Sequence, residues 1–173
     1  LADWAHANDL LLHVDGARIF NAGTDGLDAV DALSMGFTKI GAMGVEAAVL
    51  MRPEAHAKWV RKQLMQLSSK QRFLAVQVEA LLTDGLADRA ARHANAMAAR
   101  LADAVRDVVT VTQEPQANAV FARLDPAVTA ELQRDWRFYV WDEHSGEVRW
   151  MTAWDTTPED VDQFAADVRR CAA

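Results

Sequence analysis

Cysteine is almost absent. Cys171 stands alone in 173 residues, so the chain makes no internal disulfide and offers no second thiol to a metal. A reducing cytoplasm suits that composition. Basic residues are also in deficit, 18 Lys and Arg against 25 Asp and Glu for a net charge of −7, and no Lys/Arg run could track a phosphate backbone. Nucleic acid and anionic membrane are therefore not expected partners. No apolar run approaches the roughly 18 residues of a membrane span. The opening LADWAHAND lacks a basic n-region, a cleavage site and an initiator Met; it reads as the middle of a helix, which predicts a fragment of a longer chain. Gly41 and Gly44 build neither a G-x-G-x-x-G nor a P-loop pattern, which leaves nucleotide binding unsupported. His6, His56, His93 and His144 have no ligand spacing with one another or with Cys171, so no metal site is expected.

What is present describes a soluble globular protein, 51% hydrophobic and 25% charged. Three short apolar runs, LLLHV at 10–14, DALSMGF at 31–37 and VEAAVLM at 45–51, read as strands of a central sheet, ended by Asp15-Gly16 and by Arg52-Pro53. From Pro53 the pattern predicts one helix closed by Asp84-Gly85. A long amphipathic helix follows, with Leu86, Ala90, Ala94, Met97, Leu101, Val105 and Val108 at steps of three and four. Beyond it come strands near 109–113 and 118–124, a small helix opened by Asp125-Pro126, a hairpin-like pair in RFYVW and EVRWMTAW, and a last helix with Thr157 as N-cap and Pro158 at its first position. Residues 1–85 and 86–173 read as two lobes, the second a smaller α+β domain. Trp136, Trp141, Trp150 and Trp154 are expected in the core of that second lobe.

Asp15 and Lys39 each follow an apolar run, so if those strands are parallel neighbours both side chains emerge on one rim, where α/β sheets collect ligands. An Asp and a Lys at one cleft are the protein groups a pyridoxal phosphate enzyme needs. The lysine bonds the cofactor and the carboxylate keeps the pyridine nitrogen protonated. A lysine amine, with an ordinary pKa of about 10.4, becomes nucleophilic once desolvated or set near another cation. The plainer reading of the same spacing is a solvated pair in separate loops. His13 alternates with Asp15 and is expected to be a hydrogen-bonded core histidine.

The motifs LLHVDGARIFNA, SMGFTKIGAMGVEAAVL, KQLMQLSSKQRFLA, ANAVFARL, RFYVW and VRWMTAWDTTPEDV occur in this order, and together they resemble the low-specificity L-threonine aldolases. These belong to the β-eliminating lyase branch of the fold-type I pyridoxal phosphate enzymes. The resemblance implies an α/β, PLP-dependent transferase-like fold. Residues 1–85 would be the C-terminal part of the cofactor-binding large domain, and 86–173 the small domain. It implies pyridoxal 5'-phosphate as cofactor and retro-aldol cleavage of L-threonine or L-allo-threonine to glycine and an aldehyde. Lys39 would carry the cofactor and Asp15 would partner its ring nitrogen. Arg18 would reach the cofactor's phenolate oxygen or the substrate carboxylate, and Arg149 would hold the substrate α-carboxylate, a task suited to a guanidinium fork. In SSKQRF, Lys70 or Arg72 would contact the cofactor phosphate of a neighbouring subunit, the alternative being surface charges on a helix. A cytoplasmic homo-oligomer with shared active sites, acting on a small amino acid, is the implied setting.

The chain departs from that family in three places. The family's Gly/Thr-rich phosphate loop, its ring-stacking histidine and the base for the substrate hydroxyl lie in a preceding half that this sequence does not include. The connection between Phe20 and Asp31 is short for the family, and the chain begins inside a helix. Two further readings follow: a different fold-type I reaction, such as β-elimination or transamination, on the same scaffold, and a truncated, non-catalytic relative.

Overall fold

Alternation of side chains over His13–Gly16, Ala32–Gly36 and Glu46–Leu50 produces three strands, β1, β2 and β3, in a computed structural model that describes residues 1–173. β1 pairs with β2 in parallel, Asp15 opposite Ser34. β2 pairs with β3 antiparallel, Gly36 opposite Glu46 and Ala32 opposite Leu50. The period of two sends Gly16 and Leu33 to a buried face and leaves His13, Asp15, Ser34 and Ala48 on an exposed one. The chain divides into two compact units, Leu1–Ala87 and Asp88–Ala173.

In the first unit, helix α1 (Ala2–Ala7) precedes β1, and the short α2 (Ile19–Ala22) follows it. Ile19, Val30, Leu33, Phe37 and Ile40 are buried and form the apolar centre of this unit. The expected first strand is displaced. Leu10 and Leu11 are 48% and 75% exposed, and β1 begins only at His13. The physical reason is Leu12, whose N–H donates to the Asp31 carboxylate at 2.9 Å while its carbonyl accepts from the N–H groups of Asp31 and Ala32.

The single helix expected after Pro53 is two, α3 (Ala57–Met65) and α4 (Arg72–Leu82). Gln66 breaks it with φ 59°, a left-handed value that a continuing helix forbids. A 3-10 turn, Thr83–Gly85, then leads into α5 (Leu86–Val105). Trp59, Val60, Leu64 and Met65 of α3 are exposed, as are Phe73 and Val76 of α4.

The second unit is an antiparallel sheet in the order β4-β5-β7-β6, with β4 Thr110–Val111, β5 Ala119–Arg123, β6 Tyr139–Asp142 and β7 Glu147–Met151. Its core joins Leu101, Ala102 and Val105 of α5 to Val120, Ala122, Val148 and Trp150 of the sheet. Leu132 of α6 (Pro126–Leu132) and Val161, Phe164 and Val168 of α7 (Pro158–Ala172) complete it. Phe164 meets Trp136 and Trp150 edge-on, with ring centroids 5.0 and 5.1 Å apart, a favoured aromatic geometry. Both helices start where local chemistry dictates. Asp125 accepts from the N–H of Ala127, and Thr157 forms a capping box with Asp160. Trp141 and Trp154 are exposed, in contrast to the core placement expected of them: Trp141 alternates away from Val140, which pairs with the buried Val148, and Trp154 lies in a turn beyond β7.

Candidate functional site

Parallel neighbours end on the same rim, and β1 and β2 each deliver one charged residue there. Asp15 is the penultimate residue of β1, and its Oδ1 accepts the N–H of Ala17 at 3.0 Å, which fixes the carboxylate at the start of the turn. β2 ends at Gly36. Phe37 is buried, and a 3-10 turn, Thr38–Ile40, then buries Ile40 and leaves Lys39 exposed between them. Two buried apolar residues thus anchor the lysine-bearing turn while the lysine faces out.

Glycine lets the two rim segments touch. A Cβ on Gly36 would lie 2.6 Å from the carbonyl oxygen of Ala17 and 2.8 Å from its Cα, and a Cβ on Gly16 would lie 2.7 Å from the carbonyl oxygen of Ser34. The rings of Phe20 and Phe37, 5.6 Å apart, form a second link between the segment after Asp15 and the segment before Lys39. Arg18 sits half-buried at the N-cap of α2, between those two features in the chain. His13 is exposed on the strand face of Asp15 rather than in a core, and its Nε2 lies 2.8 Å from Ser34 Oγ.

Two acidic residues organise this unit without having shown themselves in the sequence. Glu46, the first residue of β3, accepts the N–H of Phe37 at 3.1 Å and of Thr38 at 3.2 Å, so its carboxylate closes the start of the lysine turn. Asp31, 8% exposed, accepts from Leu12 N–H and also meets His6 Nε2 at 2.8 Å and Arg52 Nη2 at 3.0 Å. The Leu12 N–H, then the His6 ring, hold its carboxyl below the ordinary carboxylate value. No sequence spacing signals either role, because the partners come from separate elements.

Lys70 and Arg72 are exposed at the start of α4. Arg72 lies over the Phe73 ring at 5.0 Å, and no bond joins either residue to Asp15 or Lys39. Arg149 belongs to the second unit, on β7, opposite Tyr139 of β6 and Phe121 of β5. Its Cζ lies 4.5 Å from the Trp141 ring centroid and 5.9 Å from that of Tyr139. No group of three or more His, Cys, Asp or Glu residues is placed to hold a metal ion, and no helix is long and apolar enough to cross a membrane.

The chain as a whole has counterparts among solved structures. The chain matches the threonine aldolase of Leishmania major with a TM-score of 0.90 at 25% identity, over 99% of this chain and 55% of that one. It also matches the serine palmitoyltransferase of Sphingomonas wittichii, with a TM-score of 0.73 at 18% identity, over 98% of this chain and 49% of that one. The architecture is the mixed α/β fold of the fold-type I pyridoxal phosphate enzymes. More narrowly, the beta-eliminating lyase model matches residues 1–127, and the chain belongs to that family. Among curated relatives, the low specificity L-threonine aldolase of Pseudomonas aeruginosa is 40% identical over 175 aligned residues, covering 92% of this chain and 50% of that protein. That of another Pseudomonas strain is 38% identical over the same coverage. The chain spans about half the length of the curated relatives it matches.

Proposed function

We propose that this chain is the lysine-bearing part of a pyridoxal phosphate lyase that cleaves L-threonine or L-allo-threonine to glycine and acetaldehyde. The observation that carries the reading is the rim itself. Asp15 near the end of β1 and Lys39 just past β2 stand on neighbouring parallel strands whose ends are pressed together at Gly36 and Ala17, in a chain 40% identical to a low specificity L-threonine aldolase. In this reading residues 1–85 belong to the cofactor-binding domain and 86–173 to the small domain of a cytoplasmic homo-oligomer with shared active sites.

The residues present fit the cofactor by their chemistry. Lys39 offers an exposed primary amine for covalent attachment to the aldehyde. Asp15 stands on the open strand face with one carboxylate oxygen engaged by Ala17 N–H, which leaves the other to hold a proton at the pyridine nitrogen. When bound, pyridoxal phosphate supplies an electron-accepting ring that spreads the negative charge left at the substrate Cα. Arg18 serves an anionic oxygen of cofactor or substrate, Arg149 the α-carboxylate, and Lys70 or Arg72 the phosphate in a neighbouring subunit. In the net reaction the Cα–Cβ bond breaks, the β-hydroxyl loses its proton to leave an aldehyde, and Cα gains a proton to give glycine. Lys39 is the residue proposed to carry a proton to that carbon.

The test begins with an absorbance scan of the chain mixed with pyridoxal phosphate. A visible band that disappears in Lys39→Ala supports the attachment, and no band overturns it. Glycine and acetaldehyde from L-threonine support the aldolase. Pyruvate and ammonia from L-serine as the main products would assign the scaffold to β-elimination, a second reading that the beta-eliminating lyase match keeps open.

A further inference from the structure

Arg149 is held unlike the paired arginines on or just past the helices of its unit. Arg100, Arg106, Arg134, Arg169 and Arg170 each meet a carboxylate within 3.0 Å. Arg149 meets none. Its Nε is buried without an acceptor, and the guanidinium lies over aromatic rings instead. Those rings belong to residues that a core argument does not explain, since Tyr139 is 72% and Trp141 54% exposed. The sheet is irregular at the same place. Tyr139 opposes Arg149 and Val140 opposes Val148, but the next pair is Asp142 with Glu147, so Trp141 is an extra, bulged residue. A bulge re-aims a side chain. Here it accompanies an indole 4.5 Å from the guanidinium carbon and 5.4 Å, edge-on, from Phe121, the other residue opposite Arg149.

We infer that Trp141, supported by Tyr139, is a positioning residue that holds the Arg149 guanidinium so that its two Nη groups take the α-carboxylate of an amino acid. This rests on the proposed reading of Arg149 as the carboxylate-binding residue. A guanidinium with a blocked Nε keeps its Nη edge for a planar anion, a bidentate geometry. An aromatic face fixes the plane of the cation without neutralising it, whereas a carboxylate neighbour would compete with the ligand. The rings thus reduce the freedom lost on binding.

The experiment follows the Arg149 guanidinium by ¹⁵N NMR in the full 173-residue chain during titration with glycine, with glycinamide as the control that lacks the carboxylate. The expected result is an Arg149 Nε–H that exchanges slowly, is shifted by the indole ring current, and responds to glycine but not to glycinamide. Trp141→Leu should abolish the ring-current shift and weaken glycine binding by about threefold or more, the scale of one cation–π contact. Trp141→Phe, which keeps an aromatic face, should restore most of the affinity, and Tyr139→Leu should give a smaller loss. A glycine affinity in Trp141→Leu less than threefold below the parent's, or a parent Arg149 that ignores glycine, overturns the inference. The lyase reading fails separately. Glycine binding that depends on Trp141, in a protein that does not cleave threonine, would remove the lyase and keep the positioning role. Threonine cleavage with Trp141→Leu binding glycine as the parent does would remove the positioning role alone.

Discussion

The carboxylate of Glu46 accepts the backbone N–H of Thr38 at 3.2 Å, one residue before Lys39. With the second bond to Phe37, it satisfies two donors at the start of a turn too short to satisfy them itself. Glu46→Ala is expected to destabilise the first unit by about 1–2 kcal/mol, and Glu46→Gln, which keeps one acceptor oxygen, by roughly half as much. Urea unfolding gives the stability, and amide exchange at Phe37 and Thr38 should quicken in the alanine variant. Unchanged protection of both amides would show that the turn holds without Glu46.

Asp31 predicts an acid limb. Its carboxyl lies below its ordinary value of 3.8, chiefly through the Leu12 N–H and then the His6 ring. The folded chain therefore binds that proton more weakly than the unfolded chain does. The stabilisation is complete above the ordinary value and is lost as pH falls through the lower, folded-state value. Asp31→Asn should flatten the fall in stability measured by denaturant between about pH 5 and pH 2. An unaltered acid limb would assign it to other carboxylates.

Gly36 admits no side chain. The atoms a Cβ would meet are the backbone of Ala17, which cannot rotate away. Gly36→Ala should cost about 1–3 kcal/mol, as overpacking does, and should part the Asp15 segment from the Lys39 segment. Thermal unfolding reads the first effect, and weaker uptake of pyridoxal phosphate reads the second. Gly23→Ala is a useful contrast, because a Cβ there meets nothing within 4 Å and only its φ of 102° is strained.

Thr157 caps α7 through Asp160 N–H, and Asp160 answers through Thr157 N–H at 2.9 Å. Thr157→Ala should lower the stability of the second unit by about 1 kcal/mol, while Thr157→Ser should be nearly neutral. Equal losses in the two variants would point to the methyl group rather than the hydroxyl.

Local chemistry was legible where a residue answers to its own neighbours. Asp125 and Thr157 open their helices as their residue types require, β2 and β3 lie within their apolar runs, and α5 follows its three-and-four spacing as far as Val105, ending before the expected Val108. The parallel pairing of the β1 and β2 runs was legible, and so was the place of Lys39 just past β2, whereas Asp15, expected just past its strand, lies within β1 opposite Ser34. What escaped depends on distant partners. The carboxylate of Asp31 draws on α1, on Leu12 and on Arg52, and by taking the Leu12 N–H it delays the start of β1 to His13. The break at Gln66 needs a positive φ that glutamine does not advertise. Exposure of Trp141 follows from its sharing the side of Tyr139, away from the face of Val148, and which side is covered depends on the helices packed against the sheet rather than on the strand alone.

The antiparallel turn-back from β2 to β3 bears on the order of assembly. Phe37 and Glu46 are nine residues apart in the chain, whereas Leu12 and Asp31, which bring β1 beside β2, are nineteen apart. Shorter closures lose less chain entropy and precede longer ones. The hairpin that carries Lys39 is therefore expected to gain amide protection before β1 docks, and pulse-labelled exchange during refolding reads that sequence of events. A chain that refolds this way orders the turn that holds Lys39 first and the strand that holds Asp15 afterwards, so an early species has the lysine in place while the segment of the aspartate is still free.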